Sequence, residues 1–540
     1  MKKKNVLSMF LIGVLLLSML GACATPTVQQ GTNETPAPAA PTQTPTTPAT
    51  QTPVTPEPEA VEMRELGRGV VVATQNEPPS VAPARHQAVA GGFMNDMTHV
   101  GLFRVNYSDL EPVPDLVREF RPLSDTLWEF TIHEGVMFHN GDIMTAADVV
   151  ASLIYVTNYP YAAHSHASRV SVEQTGEYTL VIDTGEPNAA LLVDLTAHSN
   201  RMMPLSLIEA GHDFTTDPVG AGPFVFQEWQ TGEHIHFTAF ENFFNLERAA
   251  NVEYMHWRII PEGASRTIAL ETGEVDYVVE VAFPDIRRLQ DSPDVEVFYG
   301  PGTTLIFMKI NNDLPQFNDI NVRRAINRAL DKESIIEVGL DGFGIPVWSA
   351  IPPIFRGHTD EGACYFDPEG ARQILAENNI DPATLGFELI VTNDERMRMG
   401  AVMQSNMADL GIPVTLRMQD LATTLAVTMA GDYEASFGGF TTSDVLAFIR
   451  MYHVDAIGGP NRSRVRNERL SELIDEAFAT VDESARIAII EEAGRVANYH
   501  AGTIPLYLQM VVRAFNTNLV VPEHAAAMGS LNLNMVYWRD

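Results

Sequence analysis

Apolar and polar positions along this 540-residue chain follow two periods, near two and near 3.6 residues, and so predict interleaved strands and helices. In "GVVVATQNEPPSVAP", Val70, Val71 and Val72 form an unbroken apolar run before a Pro-rich loop, the pattern of a buried strand. In "LWEFTIHEGVMFHNGDIMTAADVVASLIYV", Trp128, Phe130 and Ile132 alternate with Glu129 and Thr131, which predicts a half-buried strand. His139-Asn140-Gly141-Asp142 reads as a turn, and Thr145 with Asp148 reads as a capping box before Val149, Val150, Leu153 and Ile154. Asp319 is placed to cap a helix with Val322, Ala325, Ile326, Ala329 and Leu330 on one face. Asp367 takes the same place before Pro368 at a first helical position. "RTIALETGEVDYVVEV" predicts a helix stopped by Gly273 and a strand from Val275. This alternation fills the roughly 470 residues after Gly67, enough for two or three domains, and indicates an α/β fold.

The beginning of the chain departs from that pattern. Lys2, Lys3 and Lys4 precede about fifteen apolar residues, Val6 to Leu20, too few for the roughly 20 that span a bilayer. Leu20-Gly21-Ala22-Cys23 resembles the bacterial lipobox, which implies that residues 1–22 are a signal peptide and that Cys23 is lipidated as the mature N-terminus. Residues 23–65 are rich in Pro and Thr and cannot bury enough apolar surface to offset their ordering entropy, so a disordered tether is expected. Its span would be about 35 Å as a coil and on the order of 100 Å if polyproline-like. Cys364 is the other cysteine; with Cys23 lipidated it has no partner, and it reads as a small loop or core residue.

Charge removes one class of function. Without residues 1–22 the chain carries 32 basic and 69 acidic residues, a net −37, so nucleic-acid binding is excluded and adsorption to anionic lipid is disfavoured. Catalytic signatures are missing: there is no G-x-S-x-G, H-E-x-x-H, G-x-x-x-x-G-K-[ST] or paired C-x-x-C. His133 and His139, and His164 and His166 in "AAHSHASR", do not have metal-ligand spacing. No catalytic residue, metal or cofactor is expected.

Eight stretches in order resemble the peptide, dipeptide and nickel-type solute-binding proteins of ABC importers, bacterial extracellular solute-binding family 5. They are "NEPPSVAP" (76–83), "THVGLFRVN" (98–106), "EPVPDLVREF" (111–120), "LWEFTIHEGVMFHNGDIMTAADVV" (127–150), "DPVGAGPFVFQEW" (217–229), "RIIPEGASRTIALETGEVD" (258–276), "FNDINVRRAINRALDKESII" (317–336) and "IPLYLQ" (504–509). The resemblance covers nearly all of the chain after the tether. It implies a two-lobed periplasmic-binding-protein-like II fold of the large, three-subdomain α/β type, with a hinge. Lobe I would hold residues 66–302, with a subdomain inserted at about 112–205; lobe II would hold 303–503, and 504–540 would return to lobe I. The crossing strands would lie near Pro301–Thr304 and Leu506–Leu508. The implied function is a monomeric, extracytoplasmic receptor, tied to the membrane only by lipid, that closes on an oligopeptide or similar solute and hands it to ABC permease subunits. Nickel complexes and oligosaccharides are alternative cargoes, and a tethered extracytoplasmic enzyme is the alternative class.

The resemblance also nominates ligand residues. The amine-binding segment of peptide binders is similar to Gly-Trp-x-x-Asp, and "FGGFTTSDVLAF" (437–448) stands in its place. Gly438 and Gly439 suit close backbone approach, Phe440 replaces tryptophan, and Thr441 and Thr442 follow. Ser443 occupies the expected aspartate position, and Asp444, one residue later, is either an amine partner or a helix N-cap. Val89, Ala90 and Gly91 follow the first strand, where the family approaches its ligand. Tyr507 is placed either to donate a hydrogen bond in the cleft or to pack inside the hinge. Trp348 has a packing or capping role, and Asn311 reads as a structural hydrogen bonder at the lobe junction.

Overall fold

Val70, Val72 and Ala73 have no solvent exposure because Val70–Thr74 lies inside a sheet, parallel to Tyr254–Ile259 on one side and Tyr277–Val278 on the other. The computed structural model describes residues 66–85, 89–106, 108–159, 169–522 and 533–539. Cys23, the signal segment, the tether, and His164 and His166 lie outside the described residues.

The main sheet has eleven strands. Its path runs through Val414–Met418, Phe387–Val391, Ala435–Thr441, Val295–Ile310, Thr503–Asn516, Tyr277–Val278, Val70–Thr74, Tyr254–Ile259, His234–Ala239 and Phe224–Gln230. Gly344–Pro346 also pairs with Thr503–Asn516. The two central strands are 16 and 14 residues long and pair antiparallel from end to end. One end of that pair meets Tyr277–Val278, and the other meets Ala435–Thr441. Their register slips between Pro301 and Leu305, where a proline cannot extend the ladder.

Apolar burial follows the same division. Val322, Ala325, Ile326, Met399, Met403 and Met407 cover one face of the sheet around Ile306, Met308 and Ile310. Leu446, Phe448, Leu473 and Ile490 cover the other face around Leu305 and Phe307. A separate four-stranded antiparallel sheet, ordered Val117–Pro122, Leu127–Ile132, Thr179–Asp183 and Ser171–Gln174, has its own core of Phe103, Phe130, Phe138, Val149 and Leu153. Trp128, Phe130 and Ile132 face inward as their alternation predicts, and Thr145 with Asp148 forms the capping box. Asp319 and Asp367 cap their helices as expected. The strand expected from Val275 begins only at Tyr277, because Val275 N closes on Ala269 O and Asp276 uses its carboxylate on Val71 N. Among the described residues no helix is long and apolar enough to cross a membrane.

Candidate functional site

The helix Val89–Thr98 carries Asp96, and His99 follows it directly. The helix end is held by the glycines of "VGAGP". A Cβ on Gly220 would stand 2.1 Å from Thr98 O, and one on Gly222 would stand 2.5 Å from His99 N. Close backbone contact therefore requires glycine at both places, and Gly222 N donates to Thr98 O at 3.0 Å.

Around this support the chain assembles an ionic cluster. Arg201 donates to the Asp96 carboxylate at 2.7 Å, and His198 Nδ1 stands 3.2 Å from it. Burial alone would raise the Asp96 carboxyl, but His198 and Arg201 outweigh it and hold the group well below the usual carboxylate range. Arg248 pairs with the buried Asp115, which also accepts from Gly101 N at 3.3 Å. Burial, reinforced by His139 and Arg201, pushes His99 well below its ordinary value and keeps the ring neutral. Arg104 lies on the strand Phe103–Asn106, whose alternation turns Phe103 into the core and Arg104 away from it. Asp96, His99, Arg104, Asp115, His198, Arg201 and Arg248 line a cavity of about 120 Å³, together with Ser443 from far along the chain.

Ser443 also borders a smaller cavity of about 40 Å³ with Leu110, Glu111, Phe355, Arg356, Asp444 and Arg486. Here residues before 200 meet residues after 350. Arg356 bridges Glu111, at 3.3 Å, and Glu483, while Ala189 N donates to Phe478 O at 2.9 Å. A charged cavity and a largely apolar one thus adjoin at one serine.

Of the ligand residues expected from sequence, Asp444 is the one that borders these cavities. Its carboxylate accepts from Leu446 N at 2.8 Å and Ala447 N at 3.1 Å, so it is the N-cap of the helix Val445–Ile449. Loss of hydration pushes Asp444 up to about 6, against the pull of its two backbone donors. An unfolded aspartate titrates near 3.9. The folded protein therefore binds the extra proton between about pH 4 and 6, and this group's contribution to stability falls as pH rises through that window. Asp444→Asn keeps the cap and removes the titration. We expect its stability relative to the parent to improve by about 2 kcal/mol between pH 4.5 and pH 7, read from urea midpoints; a constant difference would contradict this.

The other expected positions are more dispersed. Val89 is exposed, Ala90 half-buried and Gly91 buried in the first turn of the helix that ends beside the cluster. At Gly438, half-buried, the Phe307 ring stands 2.6 Å from where a Cβ would be, so a side chain of the same sheet makes a close approach there. Gly439 is exposed opposite Ile306, and Phe440 packs edge-on against Phe448 at 5.9 Å. Thr441 Oγ1 meets Thr304 Oγ1 at 2.9 Å beside the register slip, and Thr442 Oγ1 accepts from Asp444 N at 2.9 Å. Tyr507 is 1% exposed with its hydroxyl toward Met399 Sδ, the packing placement of the two expected for it. Asn311 is a hydrogen bonder, donating to Gly431 O and Tyr433 O, but it stands past the end of the long strand and away from the slip. Trp348 packs over the Lys332 ammonium at 4.4 Å, and Cys364 is buried.

Arg104 and the pairs Asp96–Arg201 and Asp115–Arg248 were not identified from sequence. The polar alternation in "GLFRVN" marks Arg104 as leaving the core, but the pairs join positions more than a hundred residues apart.

Comparison with known proteins agrees with this architecture. The family described as bacterial extracellular solute-binding proteins, family 5, middle, matches residues 111–456. Heme-binding protein A of Haemophilus influenzae is 26% identical over 447 residues, covering 75% of this chain and 80% of that protein. The dipeptide-binding protein of Escherichia coli is 23% identical over 468 residues, covering 78% and 86%. Among solved structures, HbpA2 from Haemophilus parasuis aligns with a TM-score of 0.78 at 22% identity, over 87% of this chain and 100% of that one. DppA from Helicobacter pylori, in complex with the peptide STSA, aligns with a TM-score of 0.71 at 21% identity, over 88% and 99%. The fold is the two-lobed α/β type of these binding proteins. With the match running through the four-stranded sheet, the long strand Val295–Ile310 and the Ser443 loop, the chain belongs to family 5 of the bacterial extracellular solute-binding proteins.

Proposed function

We propose that this protein is the lipid-anchored receptor of an ABC importer, and that it captures a peptide-like solute between its lobes and passes it unaltered to the permease. The lobes are taken as residues 66–302, with the insertion at about 112–205, and 303–503, with 504–540 returning to the first. The observation that carries the reading is the pair of adjoining cavities, one charged and one largely apolar, where residues before 250 meet residues after 350 and Ser443 lines both. Two long strands running through both halves give such a body a place to bend. The names of the relatives, a dipeptide-binding protein and a heme-binding protein among them, support a small organic cargo. Asp444 is assigned the cargo amine: two of its roughly four acceptor positions are used by the helix, and the rest are available. Val89–Gly91 and Gly439–Thr442 are assigned to the rims. Cys23 is assigned the anchor, and the expected tether keeps the receptor concentrated beside its permease.

The test is calorimetry of the full chain in detergent against pools of short peptides, with mass spectrometry of what is released. One solute bound per chain and recovered unchanged is the expected result. A chemically altered product, or no peptide retained by any pool, would refute the reading.

A further inference from the structure

The strand Phe224–Gln230 is the last on the path of the main sheet. Its pairing with His234–Ala239 slips between Phe226 and Glu228, which leaves Gln227 as the extra residue of a bulge. On a regular strand Phe226 and Trp229, three positions apart, would point to opposite faces. The bulge returns them to one face: Phe226 stands opposite Phe237 and Trp229 opposite Ile235, both buried in the core. The two aromatic residues are half-buried and pack against that core. The Trp229 indole nitrogen donates to Glu77 Oε1 at 2.8 Å, and Gly232 N donates to the same oxygen at 2.8 Å. Glu77 belongs to "NEPPSVAP", so the loop after the first strand holds the indole in place.

Phe226 and Trp229 line a cavity of about 470 Å³, to which Thr215, Thr216 and Thr231 bring hydroxyls and Gln227 an amide. Glu228 is the one charged residue in its lining, and His234 Nε2 stands 3.2 Å from that carboxylate. A cavity with no cation gives a carboxylate or phosphate nothing to pair with. Two rings on one face of a strand make a platform, whereas a quaternary ammonium is held by a cage of rings. The ligand that suits this lining has a flat apolar face for the rings and neutral hydroxyls at its edge. We propose that the cavity binds an uncharged pyranose sugar, with its C–H face on Phe226 and Trp229 and its hydroxyls on Thr216, Gln227 and Thr231. Those three residues are exposed. Gln227 spends its nitrogen on Thr238 Oγ1 at 2.9 Å, which leaves its oxygen to accept. The site shares no residue with either cavity at Ser443, so it is a second binding place and not the cargo site. Free saccharides and polymeric glycan present the same ring, and the experiment separates them.

The test uses the full chain in detergent with its five tryptophans replaced by 5-fluorotryptophan, so that each gives a fluorine resonance and Trp229→Phe identifies one of them. The probes are maltotriose, cellotriose and tri-N-acetylchitotriose, with choline as the cationic control and starch, cellulose and chitin as the insoluble polymers. At least one trisaccharide should move the Trp229 resonance saturably. Trp229→Leu, followed by calorimetry, should weaken that sugar by roughly 10-fold. Because Trp229 packs on the core, the exposed pair Gln227→Ala with Thr231→Val should show the same loss at an unchanged urea midpoint. Retention on the matching polymer assigns the sugar to a glycan, and trisaccharide binding without retention assigns it to free saccharide; both support the site. The inference is overturned if no trisaccharide moves the resonance, if choline moves it and the sugars do not, or if short peptides displace the bound sugar. Failure of the chain to bind any peptide would refute the receptor reading and leave this one standing, since the two sites have no residue in common.

Discussion

Trp257→Ala should lower the unfolding free energy by about 3–5 kcal/mol, the range for deleting a large buried aromatic side chain. The indole is 1% exposed, on the strand next to Val70–Thr74, and stands 6.4 Å from Phe93. Phe93 belongs to the helix that carries Asp96, so the cavity left by alanine opens under the ionic cluster as well as in the sheet. The indole nitrogen is buried without a hydrogen-bond acceptor. Trp257→Phe therefore gives up no hydrogen bond, and we expect it to cost much less than the alanine variant. Urea unfolding followed by circular dichroism measures both; equal losses would show that packing volume is not what Trp257 supplies.

Asp115→Ala should be comparably damaging, at about 3–5 kcal/mol, because breaking a buried ion pair leaves its partner charged and dehydrated. The Asp115 side chain is 4% exposed and serves both Arg248 and Gly101 N. Pairing it with a second change, Asp115→Leu with Arg248→Met, should recover most of the loss, since an apolar pair of similar volume carries no stranded charge. If the double variant is as unstable as the single, the cost lies in the Gly101 turn and not in the arginine.

These two residues show which parts of the molecule can be read from sequence. The strand around Trp128 and the helices headed by Thr145, Asp319 and Asp367 are visible because their signals lie within a few residues: alternation, a cap, a proline. The family resemblance gave the two-lobed fold, since its motifs are the loops and turns that the fold reuses. The site is less legible. Asp115 and Arg248 are 133 positions apart, and nothing local marks either as the other's partner. Gly438 and Tyr507 are ambiguous in sequence for a related reason: glycine beside a phenylalanine and tyrosine on a crossing strand suit a cleft and a core equally. Only the sheet register decides between them.

The two central strands also constrain when the protein can take shape. Tyr277–Val278 has Val70–Thr74 on one side, but its other neighbour is Thr503–Asn516, near the end of the chain. The first lobe cannot finish its sheet until almost every residue has been synthesised, so the nascent polypeptide stays incompletely folded for most of its production. For a chain whose sequence is expected to open with an export signal this would be an advantage, since a translocation channel threads an unstructured polymer more readily than a finished body.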